Sequence, residues 1–287
     1  RGKQRRADYL LYYRRDLALA VVEAKEVGLP AETGVQQARE YAEMLGLKFA
    51  YATNGHRIIE IDYTTGTERD VDRYPSPEEL WLRLTASIHM PQPETVHLLE
   101  PFNLVSGKVP RYYQRIAIQR VIESILLGQK RILATLATGT GKTCVAFQIC
   151  WKLWNSRWNR MGEYRRPKIL SLADRNILVD DPMAKMFAPF GDARHKIAGG
   201  DVSQSRDMYF GIYQALSTST EDVFRKYRPD FFDLIVIDEC HRGSSRDQSS
   251  WRAVLEFFES AVQFGMTATP LREESRDSYE YFGNPVY

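Results

Sequence analysis

The chain contains 287 residues, of which 44% are hydrophobic and 26% are charged. This composition supports a sizeable core, and the length suits two domains. The formal net charge of only +2 is too small to indicate a polyanionic partner from the overall field alone, so any nucleic-acid surface has to be local. Three cysteines without a Cys-x-x-Cys pair exclude a disulfide framework and favour a reducing cytoplasm. Apolar runs such as residues 17–22 are far shorter than the roughly 20 residues of a membrane helix.

The first part of the chain has the pattern of a small α/β domain. Apolar and aromatic runs at residues 7–13 and 17–24 predict two strands joined by a short turn. A helix is predicted at residues 33–45, where apolar side chains recur at three- and four-residue steps. Two further strands are predicted on either side of the turn-forming pair Asn54-Gly55. We place this domain at residues 1–84.

A proline-rich stretch separates this domain from the next. Residues 85–110 have little periodicity and are punctuated by prolines, which predicts a connector. From residue 111 to residue 287, helical and strand patterns alternate, and this alternation predicts a parallel sheet with helices on both faces. Two basic stretches, residues 1–15 and 157–168, are candidate nucleic-acid surfaces, although a solvated charged face is the simpler interpretation of each alone.

A phosphate-binding motif follows the first predicted strand of the second domain. The sequence Leu-Ala-Thr-Gly-Thr-Gly-Lys-Thr occupies residues 136–143, between a predicted strand and a predicted helix. Small residues let backbone N–H groups face phosphates, and the helix N-terminus adds the positive end of its dipole. Lys142 is expected to reach the β- and γ-phosphates of ATP, and the Thr143 hydroxyl to bind Mg²⁺. The residues of this loop expected to bind the nucleotide are Thr138, Gly139, Thr140, Gly141, Lys142 and Thr143.

A second motif lies at the end of a predicted buried strand, where residues 234–237 are all apolar and Asp-Glu-Cys-His follows. Asp238 is expected to hold Mg²⁺, and Glu239 to orient or deprotonate the attacking water. Cys240 and His241 have no partners at metal-ligand spacing, which disfavours a metal site formed by this pair. His241 is instead expected to couple the γ-phosphate to the neighbouring strands.

These two motifs resemble those of superfamily 2 helicases and translocases. Gly-Met-Thr-Ala-Thr-Pro at residues 265–270 resembles the family's element that links ATP hydrolysis to nucleic-acid movement. Tyr-Tyr-Gln, which ends at Gln114, resembles the upstream glutamine motif, and this resemblance implies that Gln114 reads adenine. Residues 172–175 and 213–216 fall where such motors contact a bound strand. Each short piece alone also has an ordinary core or surface interpretation.

The first domain carries residues with the pattern of a nuclease. Asp8, followed by Glu-Ala-Lys at residues 23–25, fits the carboxylate and Glu-x-Lys arrangement of PD-(D/E)xK nucleases. In such a site two carboxylates, here Asp8 and Glu23, hold Mg²⁺, and an adjacent cation activates water or stabilises charge on the phosphate. Glu23 and Lys25 are two apart on a predicted strand, so both point to one face. A charged surface strand is the alternative interpretation.

The helix that follows adds Gln37 and Tyr41, which are four residues apart and therefore face the same way. The pair resembles the Gln-x-x-x-Tyr motif of helicase-linked nucleases, in which it supports the site and contacts DNA. The alternative is a core tyrosine beside a surface glutamine. We expect Asp8, Glu23, Lys25, Gln37, Tyr41 and Glu239 to be the catalytic residues of the chain.

With nuclease, connector and motor in this order, nearly the whole chain resembles the restriction subunit of type I restriction enzymes. The resemblance implies a PD-(D/E)xK nuclease domain at residues 1–84, a linker at 85–110, and a RecA-like, doubly wound motor domain at 111–287. It also implies the use of ATP and Mg²⁺, and a cytoplasmic complex with methylation and specificity subunits. Such a complex moves double-stranded DNA and cuts DNA that lacks its methylation.

Several features depart from these patterns. The phosphate loop has Leu136 where the general pattern has Gly, a variation familiar among helicase-type motors. Residues 178–181 lack an expected Gln, which puts strand contact there in doubt. The chain begins without Met and stops soon after a motor motif. We therefore expect an N-terminal fragment with an incomplete nuclease domain and no second motor domain, which binds ATP better than it hydrolyses it.

Two other functions fit the same residues. The chain could belong to a type III restriction enzyme or a DNA-repair helicase-nuclease, although an N-terminal nuclease is not the usual type III order. It could also be a nucleotide-gated DNA-binding module in which the nuclease residues are inactive.

Overall fold

The structure is a computed structural model, and it describes residues 7–104, 109–200, 202–217, 222–238, 252–268 and 276–287. The chain forms two compact units, Arg1–Pro101 and Phe102–Tyr287. The division falls inside the stretch that the sequence predicts as a connector. Each unit has its own sheet and its own core.

The first unit is built on a five-stranded sheet in which the strands lie in chain order. The elements are β1 (Tyr9–Arg14), β2 (Leu17–Ala24), α1 (Val35–Leu45), β3 (Phe49–Thr53), β4 (Ile58–Asp62), β5 (Thr67–Val71), α2 (Pro77–Ser87) and α3 (Thr95–Leu99), with 3₁₀ turns at Ala31–Gly34 and Gln92–Glu94. Neighbouring strands are antiparallel except β2 and β3, which are parallel because α1 crosses between them. The carboxyl ends of β2 and β3 therefore lie at one edge.

Helix α1 covers one face of this sheet. The core on that face contains Val21, Ala38, Tyr41, Ala42, Ala50 and Ile61. The helix ends at Gly46, whose φ of 68° is a left-handed conformation that glycine adopts without a steric penalty. Residues two apart on a strand face the same way, so Glu23 lies on the α1 side together with Val21.

Helix α2 packs on the opposite face and brings Arg83 into a buried charge network. Glu60 is fully buried and accepts hydrogen bonds from Tyr51 Oη at 2.8 Å, Arg69 Nη2 at 3.0 Å and Arg83 Nη1 at 2.9 Å. Arg83 also donates to Asp62 at 2.6 Å. Burial alone would raise the pKa of both carboxyl groups, but their hydrogen bonds outweigh it and hold the pKa of Glu60 and of Asp62 below the ordinary values.

The second unit is built on a six-stranded sheet in which every strand pair is parallel. Its strands are β6 (Arg131–Thr135), β7 (Ile169–Ala173), β8 (Arg194–Lys196), β9 (Met208–Ile212), β10 (Leu234–Asp238) and β11 (Val262–Thr267), in the spatial order β6, β11, β10, β7, β9, β8. The central strands are almost wholly buried, as expected of a parallel sheet covered on both faces. The predicted α/β fold with a parallel sheet is confirmed.

Helices connect these strands. They are α4 (Tyr112–Leu126), α5 (Lys142–Asn155), α6 (Ile177–Ala184) and α7 (Tyr213–Leu216), with 3₁₀ segments at Ala188–Ala193 and Val223–Lys226, helical residues at 252–257, and a final helix at Arg276–Phe282. None of the helices in the described ranges has the length and apolar character needed to cross a membrane.

The structure differs from the sequence prediction at the end of the first unit. The region predicted as a connector, residues 85–110, includes the last turn of α2 and all of α3. Helix α2 begins with a capping box, in which Ser76 Oγ accepts from Glu79 N at 3.1 Å and the Glu79 carboxylate accepts from Ser76 N at 2.6 Å. The prolines of this region indicate a connector, but proline is also tolerated in the first turn of a helix, so they do not exclude these helices.

We predict that Arg83→Met destabilises the first unit by about 3 kcal/mol, because it removes one cation from two buried carboxylates. Urea unfolding of the wild type and the variant measures the difference. Arg69→Met is the matched control, with a smaller expected loss, because that side chain is 61% exposed.

The stability that comes from Glu60 and Asp62 should also depend on pH. Their pKa values in the folded chain are lowered from ordinary values of 4.5 and 3.8, so the unfolded chain binds protons first. The contribution is complete above those values and is lost as pH falls below them. A wild-type stability that does not decrease more steeply than that of Arg83→Met in this range would contradict the network.

Candidate functional site

The Glu-x-Lys residues lie at the carboxyl end of β2. Lys25 Nζ donates to Glu23 Oε1 at 2.8 Å, so the two side chains meet on the α1 face as the two-residue spacing requires. Asp8 precedes β1, one position beyond the register pair Tyr9–Val22, which places it opposite Glu23. Its Oδ2 accepts a hydrogen bond from Ala24 N at 2.8 Å. The structure therefore brings Asp8, Glu23 and Lys25 together, although Asp8 and Lys25 are 17 positions apart in the sequence.

Helix α1 supplies two more side chains to this cluster. Lys25 Nζ also donates to Gln37 Oε1 at 2.9 Å, and Gln37 Nε2 donates to Tyr41 Oη at 3.1 Å. The Tyr41 ring is buried in the core, so the two interpretations of this residue are compatible. Glu23, Lys25, Gln37 and Tyr41 form one continuous chain of hydrogen bonds. Both the oxygen and the nitrogen of the Gln37 amide are hydrogen-bonded, so the orientation of this amide fixes the position of the Lys25 ammonium.

The Glu23 carboxylate fits a cation site. Glu23 is 3% exposed, and its Oε2 is buried and has no hydrogen-bond partner within the described part of the chain. Such an oxygen is costly unless water or a cation satisfies it. No cluster of three or more His, Cys, Asp or Glu side chains suited to a metal occurs among the residues described. Mg²⁺, however, often uses only one or two carboxylates and keeps several waters, so the Mg²⁺ site expected at Asp8 and Glu23 stays a prediction.

The predicted phosphate loop connects β6 to α5. Gly139 and Gly141 take φ values of 80° and 85°, which a residue with a Cβ rarely adopts, and Lys142 and Thr143 open the helix. Leu136, at the position where the general pattern has Gly, is buried and anchors the loop through a bond from its N–H to Thr267 O at 2.8 Å. The loop has the strand, turn and helix context that binding of phosphate at a helix N-terminus requires.

Gln114 contacts this loop directly. Its Nε2 donates to Thr140 O at 2.7 Å, and its Oε1 accepts from Arg111 N at 2.8 Å. The side chain is 6% exposed, with both ends of the amide engaged within the protein. The geometry therefore shows a support for the phosphate loop, and the reading of adenine by Gln114 stays a prediction.

The adjacent Tyr113, which belongs to the same motif, makes a contact with the loop that the sequence did not predict. Its hydroxyl donates to the same Thr140 carbonyl at 3.2 Å and accepts from Arg111 Nη1 at 3.1 Å. Neighbouring helix positions normally point to different sides, so the spacing of Tyr113 and Gln114 gave no indication that both reach one atom. Only the fold of the loop back over the start of α4 brings them there.

The carboxyl ends of the other parallel strands lie at the same edge as the phosphate loop. Asp238 ends β10 and pairs in register with Met266 of β11, one residue before Thr267. On its other side β10 pairs with β7, which is followed by Asp174. Glu239 and His241, together with Thr269 and Pro270 of the Thr-Ala-Thr motif, lie outside the described residues. The roles expected for them remain predictions.

A family model described as "Type III restriction enzyme, res subunit" matches residues 107–272. The chain belongs to this family. The match covers the phosphate loop, β10 and the segment that follows, which are the parts with the motor motifs. It leaves out the whole of the first unit.

Relatives from type I enzymes match more of the chain. The type I restriction enzyme EcoAI endonuclease subunit of Escherichia coli is 43% identical over 290 residues, covering 98% of this chain. The EcoKI endonuclease subunit of Escherichia coli strain K12 is 29% identical over 208 residues, covering 62% of this chain. A solved fragment of a proposed HsdR subunit of a type I restriction enzyme from Vibrio vulnificus YJ016 is 55% identical over the whole chain, with a TM-score of 0.88. The predicted kinship with type I restriction subunits is confirmed.

The chain spans only part of these proteins. It covers 35% of the EcoAI subunit, 16% of the EcoKI subunit and 50% of the Vibrio vulnificus chain.

We predict that Gly141→Ala weakens nucleotide binding at least tenfold more than Gly139→Ala does. Both glycines have positive φ, so both substitutions strain the backbone. A Cβ at residue 141 would lie 2.6 Å from Gln114 Nε2, whereas nothing lies within 4 Å of a Cβ at residue 139. Titration with a fluorescent ATP analogue gives the two dissociation constants.

The variant Gln114→Ala distinguishes the effect of the contact between a Cβ at residue 141 and Gln114 from the effect of backbone strain. In its background the two glycine substitutions should weaken binding equally, because the obstructing amide is gone. Equal losses in the background of the intact Gln114 would show that the contact between Gln114 and the loop has no effect on nucleotide binding.

Proposed function

We propose that the chain is the nuclease and first motor region of the endonuclease subunit of a type I restriction enzyme. In this proposal the enzyme uses ATP to move double-stranded DNA and cleaves DNA that lacks its own methylation. The observation that carries the proposal is the hydrogen-bonded chain from Glu23 through Lys25 and Gln37 to Tyr41, in a protein of a restriction family that also has a phosphate loop.

The nuclease chemistry assigns a role to each polar residue of the first site. Asp8 and Glu23 would hold Mg²⁺, which supplies an activated water and a positive charge next to the scissile phosphate. Lys25 has three N–H donors, of which Glu23 and Gln37 take one each, so one remains for a phosphate oxygen. The water would lose a proton to solvent and its oxygen would bond to phosphorus, while the bond to the leaving sugar oxygen would break and that oxygen would take a proton from solvent. The Lys25 ammonium would stabilise the extra charge on the phosphate.

Gln37 and Tyr41 act through Lys25 in this mechanism. The buried Tyr41 hydroxyl accepts from the Gln37 amide, and the Gln37 carbonyl oxygen in turn faces the ammonium. Gln37 and Tyr41 would therefore hold the Lys25 ammonium in place even when the contact between Lys25 and Glu23 weakens. This support is the physical reason for a Gln-x-x-x-Tyr spacing on the helix that follows the Glu-x-Lys strand.

The second site would bind ATP with Mg²⁺. Backbone N–H groups of residues 138–143 and the Lys142 ammonium would hold the phosphates, with Gln114 supporting the loop. Thr143 and Asp238 would hold Mg²⁺, Glu239 would orient the attacking water, and His241 would report the γ-phosphate to the neighbouring strands. The family match and the placement of Asp238 beside the loop's strand partners support this assignment.

A type III enzyme or a repair helicase-nuclease is the alternative within the same chemistry. The family description favours type III, but it concerns residues 107–272 only. The alignment with the EcoAI relative covers 98% of the chain and so extends over the first unit, which supports the type I assignment. DNA and the methylation and specificity subunits are the proposed partners.

We predict that Lys25→Ala, in the full-length subunit assembled with its partners, reduces cleavage of unmethylated plasmid at least a hundredfold. ATP hydrolysis should be unchanged, because Lys25 belongs to the other unit. Lys48→Ala is the matched control, since Lys48 is an exposed lysine of the same unit, and it should cleave normally. Unchanged cutting by Lys25→Ala would instead support an inactive nuclease site.

We predict that Lys142→Ala abolishes DNA-stimulated ATP hydrolysis, because the phosphates lose their principal cation. Phosphate release in the presence of unmethylated DNA is the measurement. Lys130→Ala, at the opposite end of β6 from the phosphate loop, is the control and should hydrolyse ATP at the wild-type rate. Hydrolysis retained by Lys142→Ala would remove the loop from the motor site.

A further inference from the structure

Gly34 occupies a backbone position that does not require glycine. It ends the 3₁₀ turn at Ala31–Gly34 and directly precedes α1, which begins at Val35. Its φ of −90° and ψ of −16° lie at the margin of the right-handed helical region, which residues with a side chain also adopt. The left-handed conformation that explains Gly46 therefore does not explain Gly34. Glycine is also common at the start of a helix, and this role is the alternative explanation.

The surroundings of Gly34 leave no room for a side chain larger than that of alanine. A Cβ at residue 34 would lie 3.4 Å from each of three atoms, Ala52 Cβ, Glu23 Cγ and Lys25 Cε. These distances are at the short limit of van der Waals contact, so one methyl group fits and fills the space. The γ-carbons of valine extend about 1.5 Å beyond Cβ, into space that the three atoms occupy. One of the neighbours then has to move.

The backbone at residue 34 is held in place from both sides. Ala31, three residues earlier, and Val35, the next residue, pack with Ala52 and Ile59 in a small core of the first unit. Ala31 is 1% exposed, and Ala52 is fully buried. Moving residue 34 away from the sheet would open this core, and protein cores tolerate such gaps poorly. The side chains that face residue 34 therefore have to move instead of the backbone.

Lys25 is the neighbour that moves most easily. The Cβ of Ala52 is fixed to strand β3, and the side chain of Glu23 is only 4% exposed. The side chain of Lys25 is 21% exposed and has a flexible four-carbon stem. A valine at residue 34 would push this stem outward. Lys25 Nζ would then lose its hydrogen bonds to Glu23 and Gln37.

We propose that Gly34 is a positioning residue of the nuclease, because its lack of a side chain leaves the space in which the stem of Lys25 lies beside Glu23. This inference rests on the proposed function, in which the Lys25 ammonium stabilises charge on the phosphate. Gln37 and Tyr41 hold the ammonium through hydrogen bonds, whereas Gly34 acts by leaving room for the stem. A misplacement of about 1 Å can lower a rate about a hundredfold, so a few added atoms are enough to lose cleavage.

Acetylation of lysines reports the position of Lys25 and does not require cleavage. The full-length subunit is treated with N-hydroxysuccinimidyl acetate, and mass spectrometry gives the acetylation rate of Lys25 relative to that of the exposed Lys48. We expect Gly34→Val to raise this ratio about fivefold, because the Lys25 side chain passes from 21% exposure to nearly full exposure. Gly28→Val is the matched control and should leave the ratio unchanged. Nothing lies within 4 Å of a Cβ at residue 28, and its backbone is not left-handed.

Cleavage of unmethylated plasmid by the assembled enzyme tests the consequence for the reaction. Gly34→Val should lower the rate about a hundredfold, whereas Gly34→Ala and Gly28→Val should stay within about threefold of the wild type. ATP hydrolysis should be unchanged in all three variants, because residues 28 and 34 belong to the other unit. Urea unfolding checks that each variant is folded. If Gly34→Val does not fold, Gly34→Ser, which adds a single atom beyond Cβ, replaces it in both measurements.

The outcomes separate this inference from the proposed function. An unchanged acetylation ratio in the folded variant would overturn the proposal and leave Gly34 as an ordinary helix start. A raised ratio together with normal cleavage would also overturn it, because the reaction would not need the position that Gly34 gives to Lys25. Normal cleavage by Lys25→Ala as well would count against the proposed nuclease site itself. A raised ratio with lost cleavage, in a variant that still hydrolyses ATP, supports the proposal.

Discussion

Both candidate sites depend on one constraint of chain geometry, the direction in which neighbouring strands run, because it decides which strand ends meet at one edge of a sheet. In the first unit β2 is antiparallel to β1 and parallel to β3, so Glu23, near the carboxyl end of β2, lies beside Asp8 at the amino end of β1. In the second unit every strand is parallel, so the phosphate loop, Asp238, Thr267 and Asp174 all lie at the carboxyl edge. Strand direction, more than local sequence, decides which polar residues can act together.

Each face of the first sheet also buries a glutamate, and the two buried carboxylates differ in their hydrogen bonds. Glu60 has its carboxylate oxygens occupied by Tyr51, Arg69 and Arg83, a complete network that holds the fold. Glu23, on the opposite face, has one oxygen on Lys25 and the other without a partner among the described residues. A buried acid with a complete network is costly to disrupt, because removing one partner leaves an uncompensated buried charge, whereas a buried oxygen without a partner costs stability unless a ligand satisfies it.

The features predicted correctly from the sequence are mostly those that follow local rules of residue type and spacing. Apolar periodicity placed β2 and α1 within two residues of their observed ends, and the Gly-rich motif placed the phosphate loop between a strand and a helix, as observed for β6 and α5. Prediction from the sequence failed for features that depend on contacts between residues far apart in the chain. Strand β5 is exposed and charged, so it has no apolar alternation, and the contact of Gln114 with Thr140 crosses 26 positions. The basic charges of residues 157–168 also could not be assigned until Asp233 and Asp207 were seen to neutralise two of them.

Helix α5 joins the start of the second unit to the phosphate loop. Gln148 accepts from Asn103 N at 2.9 Å and donates to Asn103 O at 2.8 Å, the pair of bonds that a neighbouring strand would make. Lys152, one turn further along α5, lies 4.7 Å from the centre of the Phe102 ring. Because a helix moves as a rigid body, a shift of α5 at its Lys142 end must either carry residues 102–103 with it or break two buried hydrogen bonds. Each of those bonds is worth about 1 kcal/mol, and leaving its groups unpaired costs more. The chain that enters from the first unit is therefore anchored to the helix that begins at the phosphate loop.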